Sequence, residues 1–409
     1  MSGRLVRLVC VAATAATTVL APAPATAVPE PGPAQDPASA QDAASVAGLL
    51  TDLQQHYRKA EEATEAYNAT EEKLKKQRAE TDRLDRALAR TRLSLHDSRG
   101  AAGRLARQQY QSSTDISPYV RLLLARDPQH AIDQGHVIGR LARERAETVG
   151  RLTGSERKAR ELARQARKAL DQQLALIERR KKERDEVRDR LHDVEELLAS
   201  LSRDQLTALA TFEKNGIEEA QKKFMASGAL SSSGGNGAGG SVRRPSAEGD
   251  RAVRYAVRQL GKPYEWGAEG PETYDCSGLT SQAWAEAGTP VPRTSQEQWK
   301  RLKRVPLTEL RPGDLVVYFP KATHVALYLG DGMVVQAPRP GAKVKVSPIA
   351  ANPVLGAVRP DPDGKPLWRY EPPELPEGAT DGSDEGYDGY GGFADEADYA
   401  APVPDTSTR

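Results

Sequence analysis

A single cysteine, Cys276, and a single histidine, His324, fall in the Gly-, Pro- and Trp-punctuated stretch from about Glu248 to Pro360. A thiol and an imidazole are enough for nucleophilic catalysis, in which the imidazole takes the thiol proton and later returns it to a leaving group. They are too few for a zinc site. A lone Cys with a lone His is weak by itself, because free cysteines are often simply buried. The local sequence sharpens the reading. Tyr274-Asp275-Cys276-Ser277-Gly278-Leu279 passes from a turn into a helical pattern that puts Leu279, Ala283, Trp284 and Ala287 on one face, with Gly288 closing it. Cys276 then stands at the helix N-terminus, where the macrodipole and free N–H groups favour thiolate. A packing cysteine would more naturally sit on the apolar face in mid-helix.

His324 opens the run Thr323-His324-Val325-Ala326-Leu327-Tyr328-Leu329-Gly330-Asp331-Gly332-Met333-Val334-Val335-Gln336-Ala337, two strand patterns around a Gly-Asp-Gly turn. If the loop is odd in length and centred on Gly330, His324 faces Gln336 directly across the ladder. A two-residue loop would spoil that pairing. Where it holds, the Gln336 amide accepts from one ring nitrogen and fixes the tautomer, leaving the other for the thiol.

These residues need elements to hold them, and the rest of the chain divides sharply. A chain of 409 residues exceeds one ordinary domain, and with 5% aromatic and 28% charged residues it does not read as one large core. A net charge of +1 excludes a uniformly basic nucleic-acid binder. Residues 1–27 have a basic start, an apolar run and the small-residue end Ala25-Thr26-Ala27, the pattern of a secretory signal peptide. The apolar run is shorter than the ~20 residues that span a bilayer. Cys10 leaves with this segment, so the exported protein is expected to be secreted, not membrane-spanning, with Cys276 as its one thiol.

Residues 28–42 read as a flexible leader and 43–226 as an antiparallel coiled-coil hairpin with a helical tip near 112–130. Val187, Leu191, Val194, Leu198 and Leu201 are spaced 4, 3, 4, 3, a heptad seam, and the charge-rich faces read as solvated surface. Arms of ~65 residues would reach ~100 Å. The scattered His56, His96, His130, His136 and His192 read as surface residues, not metal ligands. Residues 227–247 are a Gly/Ser-rich linker, 248–360 a globular domain, and 361–409, with 13 acidic and three basic residues, an acidic disordered tail.

The globular stretch resembles the NlpC/p60 family of cell-wall cysteine peptidases. The resemblance rests on Gly261-Lys262-Pro263-Tyr264-Glu265-Trp266-Gly267, Tyr274-Asp275-Cys276-Ser277-Gly278-Leu279, Pro292-Arg293-Thr294-Ser295, Leu310-Arg311-Pro312-Gly313-Asp314-Leu315 and His324-Val325-Ala326-Leu327-Tyr328-Leu329-Gly330, in the family's order. It implies an α+β papain-like domain after the long α-helical coiled coil. It also implies hydrolysis of peptidoglycan stem peptides, typically after D-γ-glutamate, with no cofactor. Cys276 becomes the nucleophile, His324 the base and Gln336 the orienting residue, where many members have histidine. Tyr264, Asp275, Ser277 and Arg293 fall on motif positions that line the substrate cleft. Ala268 departs from the family's usual Trp-Gly-Gly.

The signal, hairpin, linker and peptidase order is similar to that of actinobacterial cell-separation hydrolases, in some of which the coiled coil docks on a division-associated ABC transporter. Alternative readings are an amidase or acyl transferase on the same fold, or a catalytically weak adaptor. An arm on a flexible linker could also fold back over the cleft and hold the enzyme inactive.

Overall fold

The computed structural model describes residues 37–112, 118–124, 127–230 and 243–379. The residues read as an export signal, most of those read as a leader, the middle of the Gly/Ser-rich stretch and the acidic residues after Ala379 lie outside the described residues. Residues from Val46 onward cluster as one compact unit.

Two long helices, α1 (Pro37–Ser112) and α3 (Pro128–Ala199), run on either side of the short α2 (Pro118–Leu123). Their Ala-, Glu-, Lys-, Arg- and Leu-rich sequences are strong helix formers. Pro118 and Pro128 sit at helix starts, where a missing N–H costs nothing. Asp127 caps α3 by accepting from the Gln129 and His130 N–H groups at 2.6 and 3.2 Å. The seam buries Leu84 and Leu88 against Ala166 and Ala169, and Ala60 against Val187 and Leu191. Each leucine so buried contributes about 1.5–3 kcal/mol.

The helical region breaks a second time, which its periodicity did not signal. Ser202 opens α4 (Arg203–Ala226) with a capping box to Gln205. This helix continues the seam through Leu209, which packs with Leu53, Tyr57, Val194 and Leu198. It then crosses to the globular domain, where Phe224 and Leu230 pack against Val316, Val334 and Ile349.

The globular domain is an antiparallel sheet of β1 (Lys303–Val305), β2 (Leu315–Tyr318), β3 (His324–Gly330), β4 (Met333–Gln336), β5 (Lys345–Pro348) and β6 (Val354–Arg359), in the order β1-β6-β2-β3-β4-β5. Alternation along the strands sends Leu315, Val317, Val325 and Leu327 to one face. There they pack on α5 (Ala247–Val257) and α6 (Cys276–Glu286). Val316, Tyr318, Ala326 and Tyr328 face the other side. The fold is therefore long helices followed by an α+β domain. Residues 361–379, read as the start of a disordered tail, run along this domain: Asp361 forms a buried ion pair with Arg311 at 2.8 Å, and Val346 N–H donates to Ala379 O at 3.1 Å.

Candidate active site

Cys276 is the first residue of α6, and Asp275 caps the helix by accepting from the Gly278 N–H at 2.6 Å. Gly278 is required here, since a Cβ would meet the Ala268 carbonyl oxygen at 2.1 Å. The C-terminus closes with Gly288 at φ 92°, its N–H bonded to Ala285 O and the Thr289 N–H to Trp284 O, a Schellman motif. Leu279, Ala283, Trp284 and Ala287 are buried, as their spacing required. With both ends fixed and one face locked in the core, α6 presents Cys276 beside the start of β3.

His324 is the first residue of β3 and Gln336 the last of β4, and His324 Nε2 and Gln336 Oε1 are 2.7 Å apart. The two are not directly opposed, as the centred loop would have made them. Leu327 pairs with Val335 and Tyr328 with Val334, so Gln336 lies diagonal to His324. The turn is the two-residue one, Asp331-Gly332, with φ 50° and 72°, suited to a type I′ hairpin. That loop alone would send Gln336 to the other face. A register shift between Tyr328 and Gly330 inserts one extra residue and restores the shared side.

Asp275, Ser277 and Arg293 form one buried network. The Arg293 guanidinium donates to Asp275 Oδ1 and Oδ2 at 3.0 and 2.7 Å and to Ser277 Oγ at 2.8 Å. Tyr264 is buried within electrostatic reach of Cys276 and Asp275, and burial with these charges pushes its phenol well up.

The side chains that complete the site come from α1, and the reading of its charged faces as solvated is wrong for three of them. Glu61, Glu65 and Asn68 are only 7%, 2% and 3% exposed. Glu61 Oε1 lies 3.2 Å from His324 Nδ1, an ion-pair contact off the line of a hydrogen bond. Glu65 accepts from Ser277 Oγ at 2.6 Å and from the Ser295 N–H at 3.0 Å, and lies 3.9 Å from Cys276 Sγ. Asn68 donates to Asp275 Oδ2 at 3.0 Å. The ring nitrogen expected to face the thiol thus meets a carboxylate.

Electrostatics follow from this crowding. Burial pushes the Cys276 thiol well up, and the charges of Glu65, Asp275 and Glu61 push it further, against a lowering bond from the Val325 N–H. The helix N-terminus does not outweigh them, so Cys276 is held here as thiol. Burial and Asp275 raise the Glu65 carboxyl to about 8. A groove of about 1520 Å³ lined by α1, α4 and β5 includes Glu61 and Gln336 in its wall. Among the described residues no group of three or more His, Cys, Asp or Glu is arranged to hold a metal ion, and no helix is long and apolar enough to cross a membrane.

Residues 261–356 match the NlpC/P60 family. A probable endopeptidase of Corynebacterium glutamicum is 40% identical over 116 residues, covering 28% of this chain and 56% of its own. A peptidoglycan endopeptidase, RipA of Mycolicibacterium smegmatis, is 37% identical over 126 residues, covering 26% and 25%. The chain thus spans about half the length of the first and a quarter of the second. A solved structure of RipD from Mycobacterium tuberculosis, described as a non-catalytic NlpC/p60 domain protein adapted to peptidoglycan binding, is 32% identical with a TM-score of 0.26, covering 27% of this chain and 96% of its own. Behind its long helices, this chain carries a C-terminal NlpC/P60 domain.

Proposed function

We propose that the chain is a cell-wall endopeptidase that hydrolyses peptide bonds of peptidoglycan stem peptides, after D-γ-glutamate, through Cys276. The observation that supports this most is the His324–Gln336 pair at 2.7 Å, on the strand beside the N-terminus of α6. Gln336 holds Nε2 and leaves Nδ1 for the nucleophile's proton. His324 takes that proton, and the Cys276 sulfur bonds to the scissile carbonyl carbon. The C–N bond then breaks as the imidazolium protonates the leaving amine. Water, deprotonated by His324, cleaves the thioester, releasing the new carboxylate and the thiol. The Cys276 backbone N–H at the helix end supplies an oxyanion donor, while Tyr264, Asp275, Ser277 and Arg293 contact substrate.

Export to the cell wall and a role in cell separation belong to this reading. So does docking of the arm on a division-associated ABC transporter, for which Val120, Leu123 and Leu124 offer an exposed apolar tip.

The test is digestion of purified muropeptides by the full chain, with products read by mass spectrometry. Cleavage within the stem, lost in Cys276→Ala, is expected. Release of intact stem peptides from the sugar would replace this reading with an amidase.

A further inference from the structure

The groove lined by α1, α4 and β5 and the acidic chain beyond Ala379 take no part in the proposed chemistry, yet the one begins at the rim of the other. Val346, in the groove wall, donates its N–H to Ala379 O at 3.1 Å. β5 is the last strand of the sheet, so this bond lies on the outer edge, where a further segment can be taken up. The 30 residues 380–409 follow directly, with eight carboxylates and one basic residue, Arg409.

The groove has the complementary chemistry. Arg58, Lys214, Lys223, Arg339 and Lys345 line it against three carboxylates, an excess of positive charge. Arg58 and Lys214 form no ion pair among the described residues. Between these cations the wall is apolar: Phe212 is 41% exposed there, and Ile217, Phe319 and Pro348 continue the surface. Gly216, the one glycine of α4, also lines the groove, and a Cβ built on it would meet nothing within 4 Å. A glycine inside a helix costs stability relative to alanine, and here its bare backbone leaves room for another chain to approach closely.

We propose that residues 380–390 of the same chain dock in this groove, with their carboxylates toward Arg58, Lys214, Lys223 and Lys345 and their tyrosine rings on the Phe212 wall. The segment reads Thr-Asp-Gly-Ser-Asp-Glu-Gly-Tyr-Asp-Gly-Tyr. Its four carboxylates meet the cations, Tyr387 and Tyr390 cover exposed apolar surface, and its three glycines let the backbone lie close to α4 at Gly216. Reach is sufficient: 11 extended residues span ~36 Å at ~3.3 Å each, while Lys214 and Lys223 are ~14 Å apart along α4 at ~1.5 Å per residue. Each exposed ion pair is weak by itself. The attachment at Val346 makes the docking intramolecular, with an effective concentration on the order of millimolar, so several weak contacts suffice. The docked segment bridges α4 and the edge of the sheet, and this holds whatever reaction Cys276 performs.

The experiment is zero-length carboxyl-to-amine cross-linking of the full chain with a carbodiimide, read by peptide mass spectrometry on an equal mixture of isotopically heavy and light protein. Cross-links from Asp381, Asp384, Glu385 and Asp388 to Lys214 and Lys223 are expected, within light or within heavy chains. Lys345 neighbours the attachment at Val346 and does not discriminate; Lys214 and Lys223 lie across the groove on α4. Lys303, exposed on β1 at the opposite edge of the sheet, should cross-link at least about 10-fold less. Arg58→Glu/Lys214→Glu reverses two exposed charges without touching the core, and should lower the Lys223 cross-link at least about 10-fold. Tail cross-links to Lys303 as frequent as those to Lys214 and Lys223, or a Lys223 yield unchanged by the charge reversal, overturn the proposal. Heavy-to-light cross-links as abundant as those within one chain would also overturn it, since the occupant would then be the tail of a second copy.

Discussion

Glu61 Oε1 stands 3.2 Å from Nδ1 of His324, on the ring nitrogen opposite the one that Gln336 holds at 2.7 Å. Two partners thus fix the imidazole, one from its own sheet and one from α1. In the proposed reaction the first would orient the ring for proton transfer. The second occupies the nitrogen that this transfer would use.

Orientation by Gln336 is separable from binding. Gln336→Ala should lower kcat by about 10²-fold with KM nearly unchanged, since a freed imidazole loses much of its general-base contribution. Gln336→His should retain most of the rate. Steady-state kinetics on a muropeptide check both.

The packing of α1 on the site should open with pH in a fixed direction. Burial and Asp275 raise Glu65 from 4.5 to about 8, so the closed site binds a proton that the open one releases and loses stability as pH climbs between those values. Burial pulls His324 down, but the adjacent Glu61 carboxylate and the contact with Gln336 outweigh it and raise the pKa above 6.5. Its contribution is full below 6.5 and is lost as pH rises through the raised value. Both groups favour opening with alkali. Cys276 alkylation in wild type should therefore rise with pH more steeply than in Glu61→Ala/Glu65→Ala/Asn68→Ala; parallel profiles would show that no such protons are linked to closure.

Arg293 should behave as a stability residue as well as a cleft residue. It is the ion-pair partner of Asp275, whose side chain is fully buried. Arg293→Ala leaves that carboxylate uncompensated and should cost about 3–5 kcal/mol in denaturant unfolding of the C-terminal domain. Full stability in the variant would mean that water reaches Asp275.

Gly278→Ala tests the cap geometry. The added methyl meets the Ala268 carbonyl at 2.1 Å, so either α6 or the Ala268 segment must move. A loss of about 1–3 kcal/mol is expected from such overpacking, together with slower turnover because Cys276 begins the displaced helix. Unchanged melting and turnover would show that the segment yields freely.

Much of the catalytic half was legible because its signals are local. The turn before Cys276, the apolar spacing to Ala287 and the Gly288 stop define α6, and the Asp331-Gly332 turn defines the hairpin that carries His324 and Gln336. The register shift at Leu329 was not legible: nothing in Tyr328-Leu329-Gly330 marks which residue is extra, and the diagonal His324–Gln336 contact depends on it. The α1 residues were missed for another reason. A charged stripe beside a coiled-coil seam has the same sequence pattern whether it faces water or a folded partner. The one available signal was that Glu61, Glu65, Asn68, Glu72 and Lys75 keep strict 4, 3 spacing with an Asn among the charges. The break at Ser200–Ser202 was marked by Ser202 and Gln205, a capping box in sequence that the surrounding helical periodicity obscured.

Whether Cys276 carries out the cleavage is addressed most directly by one paired turnover measurement. Full-length wild type and Cys276→Ala would be incubated with the same muropeptides and sampled over time by mass spectrometry. Stem-peptide cleavage by wild type, and none once Cys276 is removed, is expected. Cleavage that survives the loss of Cys276 would contradict a Cys276 peptidase.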